Sequence, residues 1–209
     1  MPWWSFKPVS ASCLIDAPSM ENLFQAIQSI QERLLEDGIP SIVIGGVAVA
    51  AWGEPRVTRD VDLKILLDRK DADRLLEILA NNYRSLVSNP RETLQKQALI
   101  FIQDSLGTRI DLLLAETPYD ITAIQRGRNV EVQPGLMIRM CSPEDLIIYK
   151  LISTRLRDHE DVQGVIRRQG ALLDDAYVVD WLRQFEQALD DSTLLTEYHS
   201  LRQKFKNPE

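Results

Sequence analysis

Residues 42–65 read I-V-I-G-G-V-A-V-A-A-W-G-E-P-R-V-T-R-D-V-D-L-K-I, and the two ends of this stretch decide how the chain folds. A short apolar run over 41–44 stops at Gly45-Gly46. Small apolar residues over 47–52 are compatible with a tightly packed helix that starts at the double glycine. Residues 61–67 then read as a strand, in which alternate side chains share a face. Asp60, Asp62 and Lys64 fall on one side, and Val61, Leu63, Ile65 and Leu67 on the other. The second set is core. Carboxylates two residues apart on one face lie about 7 Å apart at Cα and repel one another unless a cation compensates.

A third acid obeys the same logic. In R-I-D-L-L-L over 109–114, Ile110, Leu112 and Leu114 make one face and Asp111 interrupts the other. If this strand lies beside the first, three carboxylates converge. Such hard oxygen donors suit Mg²⁺, and two ions held there would clamp an in-line displacement at phosphorus. The double glycine opens a helix whose free N–H groups and positive dipole end suit a phosphate. Each feature alone is ordinary: a lone D-x-D usually marks a solvated strand edge, and a G-G pair a packing turn. Their combination is far more specific than either part and points to phosphoryl chemistry.

Around this centre the chain reads as α+β. Apolar positions Leu23, Ile27, Ile30 and Leu34 recur at helical spacing over 20–37, and Gly38 with Pro40 ends that helix. A charged amphipathic helix is expected over 72–81. Strands over 98–103 and 109–114 form a hairpin across D-S-L-G, and strands over 129–132 and 136–140 pair across Gln133-Pro134-Gly135. Ser142-Pro143-Glu144-Asp145 is a helix start, with Ser as cap, Pro in the first turn and acids at the positive end of the dipole. Helices are expected from there on, over 143–158, 159–168 and 174–189, then in a tail. Residues 1–19, with Trp3 and Trp4, read as an irregular arm covering the chain's own core or docking on a partner. The expected division is an arm over 1–19, a core over 20–140 and a helical region over 141–209.

Composition excludes several classes. A 209-residue chain with 44% hydrophobic and 26% charged residues is that of an ordinary packed protein. A net charge of −7 gives no overall pull toward nucleic acid. No apolar run reaches the ~18 to 20 residues of a membrane span, and the start M-P-W-W-S-F-K-P lacks the pattern of a signal peptide, so a cytoplasmic location is expected. Cys13 and Cys141 are too few for a disulfide framework and form no zinc motif with His159 and His199. There is no G-x-G-x-x-G, Walker, G-x-S-x-G or H-E-x-x-H motif.

Gly45-Gly46, thirteen intervening residues, Asp60-Val61-Asp62 and the later Asp111 resemble the DNA polymerase β type nucleotidyltransferase superfamily. Its motif is a Gly-Gly or Gly-Ser turn followed by D-x-D or D-x-E and a distant third acid. The likeness spans residues 42–114. Ser142-Pro143-Glu144-Asp145-Leu146, with Lys150, Arg157-Asp158 and Asp161, resembles minimal and AbiEii-like members, among them toxins of type IV toxin–antitoxin systems.

This resemblance implies a nucleotidyltransferase-fold mixed β-sheet flanked by helices, with a C-terminal helical region. It implies transfer of a nucleoside monophosphate from an NTP such as ATP to a hydroxyl, with two Mg²⁺ as cofactors. Asp60 and Asp62 would bind metal, Asp111 would bind one metal and activate the acceptor hydroxyl, and Gly45 and Gly46 would hold the triphosphate. The implied partners are NTP, an acceptor drawn from tRNA, protein or small molecules, and a cognate antitoxin. Position 46 is glycine where many active members have a serine whose hydroxyl contacts the triphosphate.

Further nucleotide contacts follow from charge placement. On a continuous helix Lys150, Thr154, Arg157, Asp158 and Asp161 share one face, which puts Lys150 in place to touch a phosphate as a point charge. Arg56 and Arg59, between the glycines and the acids, are candidates for phosphate or base contacts. Two other readings stay open. One is a nucleotide-binding or partner-binding module of the same fold that has lost transfer; the other is a two-metal nuclease or phosphoesterase using the same acids.

Overall fold

A computed structural model describes residues 20–153 and 155–206. The expected arm with Trp3 and Trp4 lies outside these residues, as does Thr154. Helix α1 (Met20–Glu36) buries Leu23, Ala26, Ile27, Ile30 and Leu34, the apolar stripe that its sequence spells. Strand β1 (Ser41–Ile44) leads directly into α2 (Gly45–Trp52), a short helix that is apolar on all sides and correspondingly buried. Strand β2 (Asp60–Ile65) shows strict alternation, with Val61, Leu63 and Ile65 buried and the acids turned to the opposite face.

The chain continues through α3 (Ala72–Leu79), β3 (Arg84–Ser85), α4 (Pro90–Gln97), β4 (Leu99–Gln103), β5 (Arg109–Leu114) and α5 (Pro118–Arg126). Next come β6 (Arg128–Gln133), β7 (Leu136–Met140), α6 (Pro143–Leu151), α7 (Leu156–Gln169), α8 (Asp175–Leu189) and α9 (Leu194–Lys206). Seven strands form one mixed sheet in the order β3-β4-β5-β2-β1-β7-β6. The expected hairpins β4–β5 and β6–β7 are present and antiparallel. This is the anticipated α+β architecture, a mixed sheet flanked by helices with further helices after it. Buried residues from the sheet, from α1 and from the later helices form one continuous core.

Among the α-helices and strands of the described residues, β3, α4 and α5 exceed the sequence expectation. A fourth difference bears on the site. The helix expected to run over 143–158 ends at Leu151, and α7 begins at Leu156. Ile152 closes the first helix, Ser153 N–H donates to the Lys150 carbonyl at 3.2 Å, and the Ser153 hydroxyl accepts from Arg155 N–H at 3.4 Å. A serine hydroxyl that captures a backbone donor diverts the chain from helical bonding. Lys150 therefore stands on one helix, and Asp158 and Asp161 on the next.

Candidate active site

Strands β2 and β5 run parallel, with Asp62 opposite Asp111 and Asp60 opposite Arg109. The three acids therefore share one face at the centre of the sheet. On the other side of β2, Asp62 pairs with Ile44, the last residue of β1. The chain leaves β1 through Gly45 at φ +66°, and a Cβ there would stand 1.9 Å from Asp62 Oδ2. Both the left-handed backbone and the close approach demand glycine. Gly46 N–H, at the opening of α2, donates to the Asp62 carboxylate.

Burial pushes the Asp62 carboxyl up, and the charges of Asp60 and Asp111 push it further, to about 6. The nearby Lys150 charge and the Gly46 N–H only partly oppose this. Asp111 is gripped by Arg109 through two bonds, of 2.7 and 2.9 Å, and that guanidinium lies over the Phe101 ring at 4.5 Å. Among the described residues no three His, Cys, Asp or Glu side chains stand gathered as a ready metal cage. Asp62 faces Gly46, and Asp111 faces Arg109. The chemistry of the donors nevertheless fits a hard divalent cation, because three carboxylates share one face and the repulsion among them is only partly compensated at Asp62.

These groups open onto a cleft of about 750 Å³. Its lining includes Gly45, Gly46, Arg56, the three acids and Lys150. Arg59, by contrast, is exposed and does not belong to that lining. Lys150 pairs with Asp158 and, at 2.9 Å, with Asp161. Arg56 makes a two-pronged contact with the same Asp161, at 3.0 and 3.1 Å. One buried carboxylate on α7 thus holds two of the three candidate phosphate-binding cations, Arg56 and Lys150. Asp158 feels burial, which raises its pKa. Hydrogen bonds from Lys150 and Ser153, with the Lys150 and Arg155 charges, together outweigh this and hold it below the usual carboxylate range.

The sequence reading missed part of the lining. Beyond Asp62 on the same face, Lys64 pairs with Asp120 at 2.9 Å, and Tyr149 O–H donates to Asp120 at 2.9 Å. Burial pushes Asp120 up, but Lys64, Tyr149 and Thr117 together hold it low. Its signal was T-P-Y-D over 117–120, a capping box in which Thr117 and Asp120 satisfy each other's backbone N–H. Thr58, also in the lining, carried no signal of its own. Ser142-Pro143-Glu144-Asp145 does start a helix as expected. Asp145 is fully buried there and is bonded by Ser142, Tyr119 and Tyr177, a structural role.

A glycine turn set against strand acids lies on a mixed sheet flanked by helices, a nucleotidyltransferase-type fold, and faces a cleft lined by Arg56 and Lys150. The chain belongs to the family described as Nucleotidyltransferase of unknown function (DUF6036), whose sequence model matches residues 20–168. No curated protein matches the chain by sequence. Among solved structures, it is similar to an antigenic nucleotidyltransferase-like protein from Paracoccidioides brasiliensis. That likeness has a TM-score of 0.52 and 16% identity, and covers 87% of this chain and 94% of the other. It is likewise similar to the antibiotic-resistance factor ANT(2″)-Ia, with a TM-score of 0.52, 17% identity and coverage of 81% and 96%. A complex of ANT(2″)-Ia with adenylyl-2″-tobramycin gives a TM-score of 0.51, 16% identity and coverage of 78% and 98%.

Proposed function

We propose that this protein is a Mg²⁺-dependent nucleotidyltransferase that moves a nucleoside monophosphate from an NTP to an acceptor hydroxyl. The carrying observation is the parallel register that sets Asp62 beside Asp111, with the Gly45 turn packed against Asp62. Asp60, Asp62 and Asp111 would hold the metal, which supplies charge stabilisation at the transferred phosphoryl group. Lys150 and Arg56 turn from Asp158 and Asp161 toward the triphosphate, which lies against the backbone of Gly45 and Gly46 at the opening of α2. The acceptor oxygen bonds to the α-phosphorus as the bond to the bridging oxygen breaks, and pyrophosphate leaves. The hydroxyl proton passes to Asp111, which must first part from Arg109. The walls of the cleft keep the reactants in line, so that an intermolecular step becomes effectively unimolecular.

The test is incubation with each α-labelled NTP, Mg²⁺ and cell extract, alongside the Asp60→Ala, Asp62→Ala double variant. Label should pass to an acceptor with the wild type only. Equal labelling by the variant sinks the assignment, and binding of NTP without any transfer favours the inactive-module alternative. ANT(2″)-Ia, known with adenylyl-2″-tobramycin, supports including small hydroxylated molecules beside tRNA and protein as acceptors. The likeness of residues 142–161 to toxin-type members supports a toxin–antitoxin role. Growth arrest on expression, dependent on Asp60 and Asp62 and relieved by the neighbouring gene, would bear that out.

A further inference from the structure

Gly46 leaves a space that another residue fills. A Cβ built on Gly46 would lie 2.6 Å from Thr58 Oγ1 and 2.9 Å from Thr58 Cβ, with Arg56 Nη1 at 3.5 Å. The Thr58 side chain therefore occupies the volume that a side chain at position 46 would claim, and its hydroxyl points into that volume. Thr58 lines the cleft two residues before Asp60, and only 9% of it is exposed. Its hydroxyl donates to the Asp60 carbonyl at 3.2 Å. That is long for an O–H···O bond, so the proton is weakly held and free to turn to a better acceptor. Arg56, reaching the same point, adds positive charge there.

Resting on the nucleotide-binding reading above, we infer that Thr58 is a triphosphate-binding residue, supplying from position 58 the hydroxyl that position 46 lacks. The two positions exclude each other sterically, so only one of them carries a hydroxyl here. An anionic oxygen that enters beside Gly46 accepts from Thr58 Oγ1 while Arg56 balances its charge. Space filling alone would require the shape of Thr58 but not its hydroxyl.

Calorimetric titration in Mg²⁺, with each of the four NTPs and with inorganic tripolyphosphate, separates the two roles. Thr58→Val keeps shape and removes the hydroxyl. It should keep the wild-type circular dichroism and bind both NTP and tripolyphosphate roughly tenfold more weakly. Thr58→Ser should bind within about twofold of wild type, since the loss of one methyl leaves the donor in place. Gly46→Ser alone forces a clash and should bind worst. Gly46→Ser combined with Thr58→Gly, which removes both the hydroxyl and the Cβ that a side chain at position 46 would meet, moves the hydroxyl across and should recover most of the lost affinity. Thr58→Val binding as tightly as a wild type that binds NTP overturns the role of Thr58 and leaves the proposed function standing. Thr58→Ser as weak as Thr58→Val also overturns it. A wild type that binds none of the five ligands overturns both.

Discussion

At Asp62 a carboxylate is held against Asp60 and Asp111 and against the backbone of Gly46, and burial with like charge raises its pKa. Removing that charge should ease the fold while it disables the site. Asp62→Asn is expected to raise the thermal midpoint of the metal-free protein by a few degrees, the scale on which about 1 kcal/mol acts in a chain of this size, and to abolish label transfer. A lowered midpoint in a melting experiment would contradict the repulsion argument. Gly45→Ala should act the other way. A Cβ 1.9 Å from Asp62 Oδ2, on a residue with positive φ, should cost about 2 kcal/mol or more in urea unfolding. The acids and the glycines were legible because each breaks a local pattern: acids in an apolar strand, two glycines at a strand end. Thr58 and Asp120 break none. Their roles come from what the fold sets opposite them, Gly46 for one and Lys64 with Tyr149 for the other.

Elements position these residues through a few cross-links. Gln169 donates to the Trp52 carbonyl and Arg168 to the Gly53 carbonyl, both at 2.8 Å, which ties the far end of α7 to the end of α2. At the other end of α7, Asp161 bonds Arg56 from the loop after α2 and Lys150 from α6. Asp161→Ala would leave two partly buried cations competing for Asp158. It is expected to destabilise the protein by about 2 kcal/mol, a figure discounted for the partial exposure of Arg56 and read as a lowered urea midpoint. An unchanged midpoint would mean that the pairing is ornamental. The break between α6 and α7 was not legible, since I-S-T-R over 152–155 holds neither glycine nor proline. Helices α4 and α5 were missed although Asn89-Pro90 and Thr117-Pro118 announce both starts. The reason lies in their faces: α4 buries only Leu94, and α5 buries an aspartate among its apolar residues, so neither shows a clean helical period.

Over the whole molecule, the site lies where β5, β2 and β1 meet in the middle of the sheet, and its charges give stability a definite pH dependence. Asp120 and Asp158 are held below the ordinary carboxylate value by lysines. A depressed folded-state pKa contributes stability that is fully present above the unfolded value, about 4, and is lost as pH falls through the lower folded value. Asp62 has the opposite sign. Its folded pKa of about 6 exceeds the unfolded value, so the folded state gains on acidification from about 6 to about 4 and loses stability over the same range as pH rises. Together these groups predict a metal-free stability maximum near pH 4 to 5, falling on the acid side and declining toward pH 6 on the other. Asp120→Asn should flatten the acid limb, and Asp62→Asn should remove the decline between pH 4 and 6. Mg²⁺ should also remove that decline, because a cation beside the three acids cancels the repulsion that causes it. Denaturant midpoints at half-unit pH steps, with and without Mg²⁺, measure all of this. A decline that survives in Asp62→Asn would assign it to other groups, and one that Mg²⁺ leaves untouched would count against metal at this face.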